Sequence, residues 1–311
     1  MVYVKVVYFL VSVVLFLIIV SGIILAIIDP IQNENNILKN NILQHPQRNK
    51  RFSLPKFAKK NEKKGTYHWI HNQEKNIKVL LLPILKKNKE IQEKQISTNN
   101  SKNQIQCCDY FDLKLKTDFV YEYIVDDYLS NTPFRVIDFR NRIIQWETYA
   151  GDHIFETPSL GNFTGITLSG QNEIGFGSIE EIDNALAVTI LFYQCPVPEV
   201  AGRCPIFHEI IEFKQIYNTN DYNWSNTGET GTYDTISVIL HEMGHIMGLN
   251  DLYSSICSAS TMYGYGQIAD TSKRLIDTQS QRCVYALYSK TTKTKDFKYI
   301  FLLFVFLLSF V

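Results

Sequence analysis

The chain has 311 residues and carries 31 acidic side chains against 31 Lys and Arg, so its formal net charge is zero. Hydrophobic residues make up 45% of it, which is enough for a substantial core and excludes a wholly disordered protein. The neutral charge balance provides no general field to hold a polyanion, so no nucleic-acid partner is expected.

The first 28 residues predict a membrane segment. Residues 6–28 contain no charged side chain, and a helix of that length is roughly 34 Å long, enough to cross a bilayer. Residues 1–28 are therefore interpreted as a signal anchor or as a cleaved signal peptide, with a buried core helix as the third alternative. The body is membrane-anchored in the first case and secreted in the second.

Residues 29–106 are dominated by Asn, Gln, Lys, Glu and Ile. Apolar islands such as Val79–Leu85 are short, and the stretch has too little hydrophobic surface to offset the entropy of ordering. A polar linker or a pro-segment is therefore predicted. Arg48–Arg51, with the sequence RNKR, resembles a furin-type processing site, and an ordinary basic patch in a solvated linker is the alternative.

Residues 107–290 have the pattern of a globular domain. Strands are predicted over residues 118–125, 172–177, 185–193 and 210–217, and helices over residues 132–149 and 234–248. The first helix is expected to bury a stripe made of Val136, Ile137, Ile143, Ile144 and Trp146. The mixture of strands and helices predicts an α/β or α+β fold.

The second predicted helix carries the sequence HEMGHIMGLND, which runs from His241 to Asp251. Residues four apart share one face of a helix, so His241 and His245 can hold a single metal ion. Glu242 would stand beside the metal as a general base, and Gly248 would end the helix so that Asp251 returns as the third ligand. Three protein ligands leave one position open, which is typical of catalytic zinc.

This motif is followed by the segment STMYG over Ser260–Gly264, which is similar to a Met-turn. The two segments together resemble the metzincin zinc metallopeptidases, and more narrowly the matrixin-like branch with the HExxHxxGxxD form of the motif. The resemblance implies the following roles: His241, His245 and Asp251 as zinc ligands, Glu242 as catalytic general base and Met262 as the Met-turn residue.

The resemblance further implies a metzincin catalytic domain over 107–290, with a twisted mixed β-sheet, two long helices and a small irregular C-terminal subdomain. Residues 185–193 resemble the strand whose edge binds extended substrate, and residues 273–288 resemble the family's final helix. The implied cofactors are one catalytic Zn²⁺ and, from the matrixin relatives, Ca²⁺. Individual substrate-binding residues are not assigned.

The expected function is a zinc-dependent metalloendopeptidase, a hydrolase that cleaves peptide bonds of extracellular proteins with metal-activated water and Glu242 as base. Its partners would be protein or peptide substrates. The alternative is a catalytically inactive metzincin-like surface protein that acts in binding or adhesion. The intact Glu242 favours the enzyme, because a binding protein has no chemical need for a carboxylate at that position.

Six cysteines lie after the apolar N-terminal segment, an even number that suits an oxidising compartment. Cys195–Cys204 brackets a short loop, and Cys257–Cys283 would form if the last helix packs back on the catalytic region. Other pairings and reduced thiols remain open, and neither Cys107 nor Cys108 has an assigned partner.

Three sequons, at Asn99, Asn162 and Asn223, predict a glycoprotein if the body is exported. Residues 291–311 combine a Lys/Thr spacer with an apolar tail, which is interpreted as a membrane-embedded tail or as a GPI signal with Ser289 among the acceptor positions. The expected location is therefore a membrane, with the catalytic domain extracytoplasmic.

Overall fold

The computed structural model describes residues 50–61, 66–87, 107–182, 184–200 and 204–289. The predicted membrane segment over 1–28, the C-terminal tail over 291–311 and the sequon at Asn99 lie outside these residues. Within the described part of the chain, no helix has both the length and the apolar character required to cross a bilayer.

The helices of the described chain are α1 (Val136–Ala150), α2 (Thr235–Ile246) and α3 (Thr278–Tyr288), with 3₁₀ turns at Asp127–Asn131 and Ser255–Cys257. The strands are β1 (Arg51–Phe52), β2 (Lys59–Asn61), β3 (Thr66–Asn72), β4 (Ile77–Lys86), β5 (Leu113–Lys114), β6 (Tyr123–Asp126), β7 (Ser159–Gly161), β8 (Asn172–Phe176), β9 (Ser178–Ile179), β10 (Ala185–Gln194), β11 (His208–Tyr217), β12 (Trp224–Ser225), β13 (Tyr233–Asp234) and β14 (Tyr265–Gly266).

Ten of the described strands form one mixed sheet, in the order β2-β3-β4-β10-β11-β8-β6-β7, with β5 beside β11 and β14 beside β4. Neighbours from β2 to β11 are antiparallel, and neighbours from β11 to β7 are parallel. The predicted mixed α/β class is confirmed at this level.

The central strands β4 and β10 are buried on both faces of the sheet. Side chains alternate between the faces of a strand, so Leu80 and Leu82 join the hydrophobic cluster that includes residues of all three helices. Val79 and Leu81 join a second cluster on the opposite face, which contains loop residues such as Phe163 and no residue of the three helices. We call these the helix face and the loop face.

The polar linker predicted over 29–106 is not what the structure has over residues 51–61 and 66–86. There the chain forms β1 to β4, and β4 lies between β3 and β10 inside the sheet. The seven mostly apolar residues of Val79–Leu85 suffice for a buried strand, because the neighbouring strands satisfy their backbone hydrogen bonds. The polar residues on either side made this strand hard to recognise in the sequence. The folded unit extends upstream of residue 107, and the pro-segment over 29–106 stays a prediction.

Two expectations about individual elements also change. The strand Ala185–Gln194 is not an edge, because β4 covers the side on which a substrate was expected. Helix α1 starts at Val136 rather than at Thr132, whose hydroxyl donates to the Leu129 carbonyl at 2.9 Å at the end of the preceding 3₁₀ turn.

The buried stripe of α1 differs from the predicted one. Ile137 is 52% exposed and Ile144 is 38% exposed. The buried positions of the helix are Asp138, Phe139, Ile143, Trp146, Glu147 and Ala150. The two isoleucines lie on the opposite side of the helix from this stripe. Their hydrophobicity alone does not place them on the buried face, because the position around the helix axis decides burial.

All six cysteines form disulfides. The predicted Cys195–Cys204 pair is confirmed. The predicted Cys257–Cys283 pair is wrong, because Cys257 bonds Cys107 and Cys283 bonds Cys108, with Cα–Cα distances of 5.4 and 5.9 Å. The adjacent residues 107 and 108 thus lie between the 3₁₀ turn and α3, and each takes a different partner. Sequence spacing cannot reveal such a long-range arrangement.

Candidate metal centre

Helix α2 is positioned by its two ends. At its start the Asp234 carboxylate accepts hydrogen bonds from the Ser237 amide at 2.8 Å and the Ser237 hydroxyl at 2.7 Å, which satisfies an otherwise unpaired helix donor. Beyond its end Gly248 has φ of 90°, and a Cβ there would lie 2.3 Å from the Leu113 carbonyl oxygen. Only glycine fits this turn, which directs Asp251 back toward the helix.

The predicted ligands come together. One ligand atom from each of His241, His245 and Asp251 lies within 4.8 Å of the others. Asp251 Oδ1 is 3.1 Å from His241 Nε2 and 3.6 Å from His245 Nε2. All three residues are buried, and none of these three atoms has a hydrogen-bond partner among the described residues.

Both imidazoles are oriented by backbone carbonyls. His241 Nδ1 is 2.8 Å from the Thr261 carbonyl oxygen, and His245 Nδ1 is 2.9 Å from the Leu249 carbonyl oxygen. A carbonyl only accepts, so each Nδ1 carries the proton and each Nε2 presents its lone pair. Burial lowers the pKa of His245 to about 4, which keeps that ring neutral and suited to metal binding.

Asp251 is held from two sides. Its amide donates to Asn250 Oδ1 at 2.9 Å, and Tyr253 donates its phenol proton to Asp251 Oδ2 at 3.2 Å. Oδ2 is thereby directed toward Tyr253, and Oδ1 is left facing the histidines. Tyr253 is a positioning residue that the sequence reasoning missed, although it lies only two residues after the predicted ligand.

The three residues fit a divalent metal such as zinc. Two imidazole nitrogens and one carboxylate oxygen are donors that zinc prefers, and buried polar atoms without partners carry a free-energy cost that a cation would remove. The second nitrogen of each imidazole already has its outer partner, as in many metal sites. Within the described residues this is the one group of three His, Cys or acidic donors close enough to hold an ion.

Glu242 lies beside the ligands at the end of a buried polar chain. Its Oε2 accepts a hydrogen bond from the Thr189 hydroxyl, Gln215 Nε2 donates to Thr189 Oγ1 at 3.1 Å, and the Tyr217 phenol donates to Gln215 Oε1 at 3.0 Å. Its Oε1 has no partner in the described chain. Thr189 was also missed, although it is the one polar residue in the apolar run ALAVTILF.

The protein surroundings raise the pKa of Glu242. Burial raises its pKa well above the usual range, the hydrogen bond from Thr189 opposes that rise, and the negative charge of Asp251 adds to it. A carboxyl group with a raised pKa, one held oxygen and one unpartnered oxygen is suited to exchange a proton with a neighbouring molecule.

Met262 lies directly under α2. It is buried, and a Cβ added to Gly244 would lie 2.4 Å from Met262 Sδ and 2.9 Å from the Trp146 ring. Trp146 also donates from Nε1 to the Leu240 carbonyl at 2.9 Å. The methionine therefore supports the helix turn between the two histidines, which is the place the sequence assigned to it.

The segment that contains Met262 is fastened to α3. The Asp277 carboxylate caps α3 through the Gln279 and Ser280 amides and also accepts from the Thr261 amide at 2.8 Å and the Ser260 hydroxyl at 3.0 Å. The Asp277 amide in turn donates to Thr261 Oγ1 at 3.0 Å. Since the Thr261 carbonyl orients His241, α3 contributes indirectly to the geometry of the centre.

A second buried charged cluster lies on the loop face. The Lys214 ammonium is fully buried and contacts Glu173 Oε2 at 2.8 Å, Glu212 Oε1 at 3.0 Å, Ser169 Oγ at 2.7 Å and the Gln171 carbonyl at 2.8 Å. A protein ammonium thus sits among oxygen atoms that would otherwise suit a cation. The predicted calcium ion stays a prediction without residues assigned to it.

No known family model matches this chain, and no curated protein matches it either. The centre is therefore interpreted from its own geometry, in which His241, His245 and Asp251 lie together and Met262 packs against α2 at Gly244.

Proposed function

We propose that this chain is a zinc-dependent endopeptidase of the metzincin type. The observation that carries the proposal is the convergence of three buried, unpartnered donor atoms beside a buried carboxylate that has one unpartnered oxygen. The three donor atoms can hold a metal ion, and the unpartnered oxygen of Glu242 can accept a proton.

Zinc, when bound by His241, His245 and Asp251, would supply a Lewis acid that polarises a peptide carbonyl and lowers the pKa of water. The protein supplies the proton transfers. Glu242 Oε1 takes the proton of the attacking water and then delivers it to the leaving amine, while Thr189 holds Oε2 so that the carboxyl group does not rotate. No serine or cysteine nucleophile takes part.

The local arrangement around the site is what supports the metzincin proposal. In the sheet, the parallel strands β7, β6, β8 and β11 are followed by the antiparallel strand β10. Helix α2 carries two of the proposed ligands, and the turn at Gly248 brings the third one close to them. The buried Met262 follows in the Ser260–Gly264 segment. The third ligand is an aspartate, whose negative charge reduces the net charge of the centre. We therefore expect weaker polarisation of the substrate than three neutral ligands would give.

An extracytoplasmic location belongs to the same proposal. All six cysteines are in disulfides, which persist in oxidising compartments. Asn162 and Asn223 have exposed side chains, so both sequons are accessible to glycosylation. Membrane attachment would depend on residues 1–28 and 291–311.

The test compares the zinc-loaded full chain with Glu242→Gln and with the matched control Glu156→Gln, an exposed carboxylate away from the centre. Cleavage of a peptide library is followed by mass spectrometry, and bound zinc is measured on the same samples. We expect Glu242→Gln to retain zinc and to lose about 10²–10⁴-fold in turnover, and Glu156→Gln to match the parent.

Two results would contradict the proposal. Equal loss of zinc in Glu242→Gln and His241→Ala would show that Glu242 is a ligand rather than a base. Zinc binding without Glu242-dependent cleavage, in the parent and in the opened variants described below, would leave the alternative of a catalytically inactive binding protein.

A further inference from the structure

The centre is closed to any substrate in this structure. His241 is 1% exposed, Asp251 is 5% exposed, and Glu242 and His245 are fully buried. A peptide bond must come within hydrogen-bond distance of Glu242 to react there. A peptidase with this centre therefore has to expose it, and the residues that cover it are identifiable.

Strand β4 is one of the covering elements. Its residues pair with β10 from Lys78 to Leu85, and Leu82 lies opposite Thr189, the residue that holds Glu242. The carboxyl end of β4 then runs between β10 and β14. There the Leu85 amide donates to the Gly264 carbonyl at 3.0 Å, and the Lys87 amide donates to the Gly266 carbonyl at 3.1 Å.

Ile84 fills the space next to the first ligand. This side chain is 3% exposed and lines a small cavity together with Val238 and His241 of α2, Thr261 and Gly266. The space left is about 20 Å³, room for about one water molecule. The cavity thus lies beside His241, and Ile84 forms part of its wall.

Extended peptides bind proteins by adding a strand to a sheet edge, where backbone hydrogen bonds give affinity and side-chain pockets give selectivity. Residues 80–87 have both features: backbone bonds to a strand on each side, and one aliphatic side chain in a pocket beside His241. This is the arrangement of a bound peptide, made by the chain itself.

We infer that residues 80–87 occupy the peptide-binding cleft as an internal inhibitor, so that the described form is latent. The inference rests on the proposed peptidase function and adds its regulation. No cysteine blocks the centre, since Cys107 and Cys108 are both in disulfides. Closure depends instead on the hydrogen bonds and the apolar contacts of β4.

Cleavage at Arg51 would not open the cleft by itself. Arg51 lies in β1, paired with β9, and β4 follows it in the chain. After such a cut, β4 would remain joined to Cys107, which is bonded to Cys257. The cleft opens only if β4 leaves the sheet. A cut between Lys87 and Cys107 would allow β4 to leave, because it removes the covalent link to Cys107.

The experiment uses the zinc-loaded full chain and two variants that loosen β4 without replacing a ligand. Ile84→Asp replaces a buried aliphatic side chain with a carboxylate, and Lys87→Pro removes the amide that donates to Gly266. Ile70→Asp is the matched control, because Ile70 is 50% exposed on β3.

Opening is measured in two ways that do not need activity. Hydrogen–deuterium exchange of residues 80–87 reports the release of β4, and the rate at which 4-(2-pyridylazo)resorcinol captures zinc reports access to the centre. We expect both variants to raise the exchange and to accelerate zinc capture by at least about tenfold, a factor equal to 1.4 kcal/mol in the opening equilibrium, and the control to do neither.

Faster exchange over residues 80–87 with an unchanged rate of zinc capture would overturn the inference, because β4 would then not close the centre. If Ile84→Asp does not fold, Lys87→Pro alone decides. Peptide cleavage is measured last on the same samples. Faster zinc capture with no cleavage by any form would uphold the closure by β4 and reject the peptidase function, so the two failures are distinguishable.

Discussion

The two faces of the sheet bury charged clusters of opposite character. On the loop face, Lys214 is surrounded by two carboxylates and two further oxygens, so the ammonium has partners on several sides within the protein. On the helix face, His241, His245 and Asp251 turn their ligand atoms toward one another and leave them without hydrogen-bond donors.

This difference separates a structural cluster from a functional one. Buried polar groups in proteins are normally paired, because an unpaired one costs free energy. The Lys214 cluster obeys this rule and needs nothing further. The cluster on the helix face departs from it at one atom each of His241, His245 and Asp251, which is the basis of the proposed metal site.

The largest effect is expected from breaking the paired cluster. Lys214→Met would leave Glu173 and Glu212 buried without their cation, and we expect a loss of about 3–5 kcal/mol in the free energy of unfolding. Chemical denaturation measures it. Adding Glu173→Gln and Glu212→Gln to Lys214→Met removes the buried charges and should recover part of the loss; no recovery would show that the cluster does not act through charge.

The converse test adds zinc to the cluster formed by His241, His245 and Asp251. Zinc at 100 to 1,000 times its dissociation constant should stabilise the folded chain by about 2.7–4.1 kcal/mol, since it binds the native state. Thermal unfolding with and without zinc measures this. His241→Ala should show a much smaller response, and an equal response in that variant would place the metal elsewhere.

A smaller effect is expected at the junction of α3 and the Met262 segment. Burial by itself would raise the pKa of Asp277, but hydrogen bonds from Ser280, Thr261 and Ser260 outweigh it, and the pKa lies below its ordinary value of 3.8. A lowered folded-state pKa means that the stabilisation is present above pH 3.8 and is lost as the pH falls through the folded-state value.

We therefore expect Asp277→Asn to lower the free energy of unfolding by about 1–3 kcal/mol at pH 6. The difference from the parent should shrink as the pH is lowered below 3.8. Urea titrations at several pH values measure it. A difference that stays constant down to the acid transition would mean that the carboxylate charge does not matter at this junction.

The smallest effect is expected outside the ligand set. Tyr253→Phe removes the hydrogen bond to Asp251 Oδ2 and keeps the ring. Loss of such an outer partner commonly lowers metal affinity 10–100-fold, so we expect about tenfold weaker zinc binding. Competition with a chelator measures it, and Tyr285→Phe, which changes an exposed tyrosine of α3, is the control.

The grouping of His241, His245 and Asp251 was predictable because its signals are local. Two histidines one helical turn apart, a glycine that ends the helix and an aspartate three residues later determine their own relative positions. The same applies to Cys195–Cys204, which closes a loop of short separation. These contacts depend on backbone geometry over a few residues, and the sequence displays that geometry directly.

The contacts that were missed depend on distant parts of the chain. Strand β4 is stabilised by β3 and β10, and β10 is more than 90 residues further along, so a local balance of polar and apolar residues could not identify it. The Thr189 hydroxyl can donate to Glu242 only because β10 packs against α2 in the folded chain. The two disulfides of Cys107 and Cys108 likewise join residues 150 and 175 positions apart.

The neighbouring disulfides of Cys107 and Cys108 tie the start of the downstream chain to two distant parts of it. They close loops that span 150 and 175 residues, and closing even a 100-residue loop restricts the unfolded chain by about 4.7 kcal/mol. If the chain were severed upstream of Cys107, the new amino terminus would stay covalently bound on both sides of the Met262 segment. A reductant would remove both covalent attachments of that terminus.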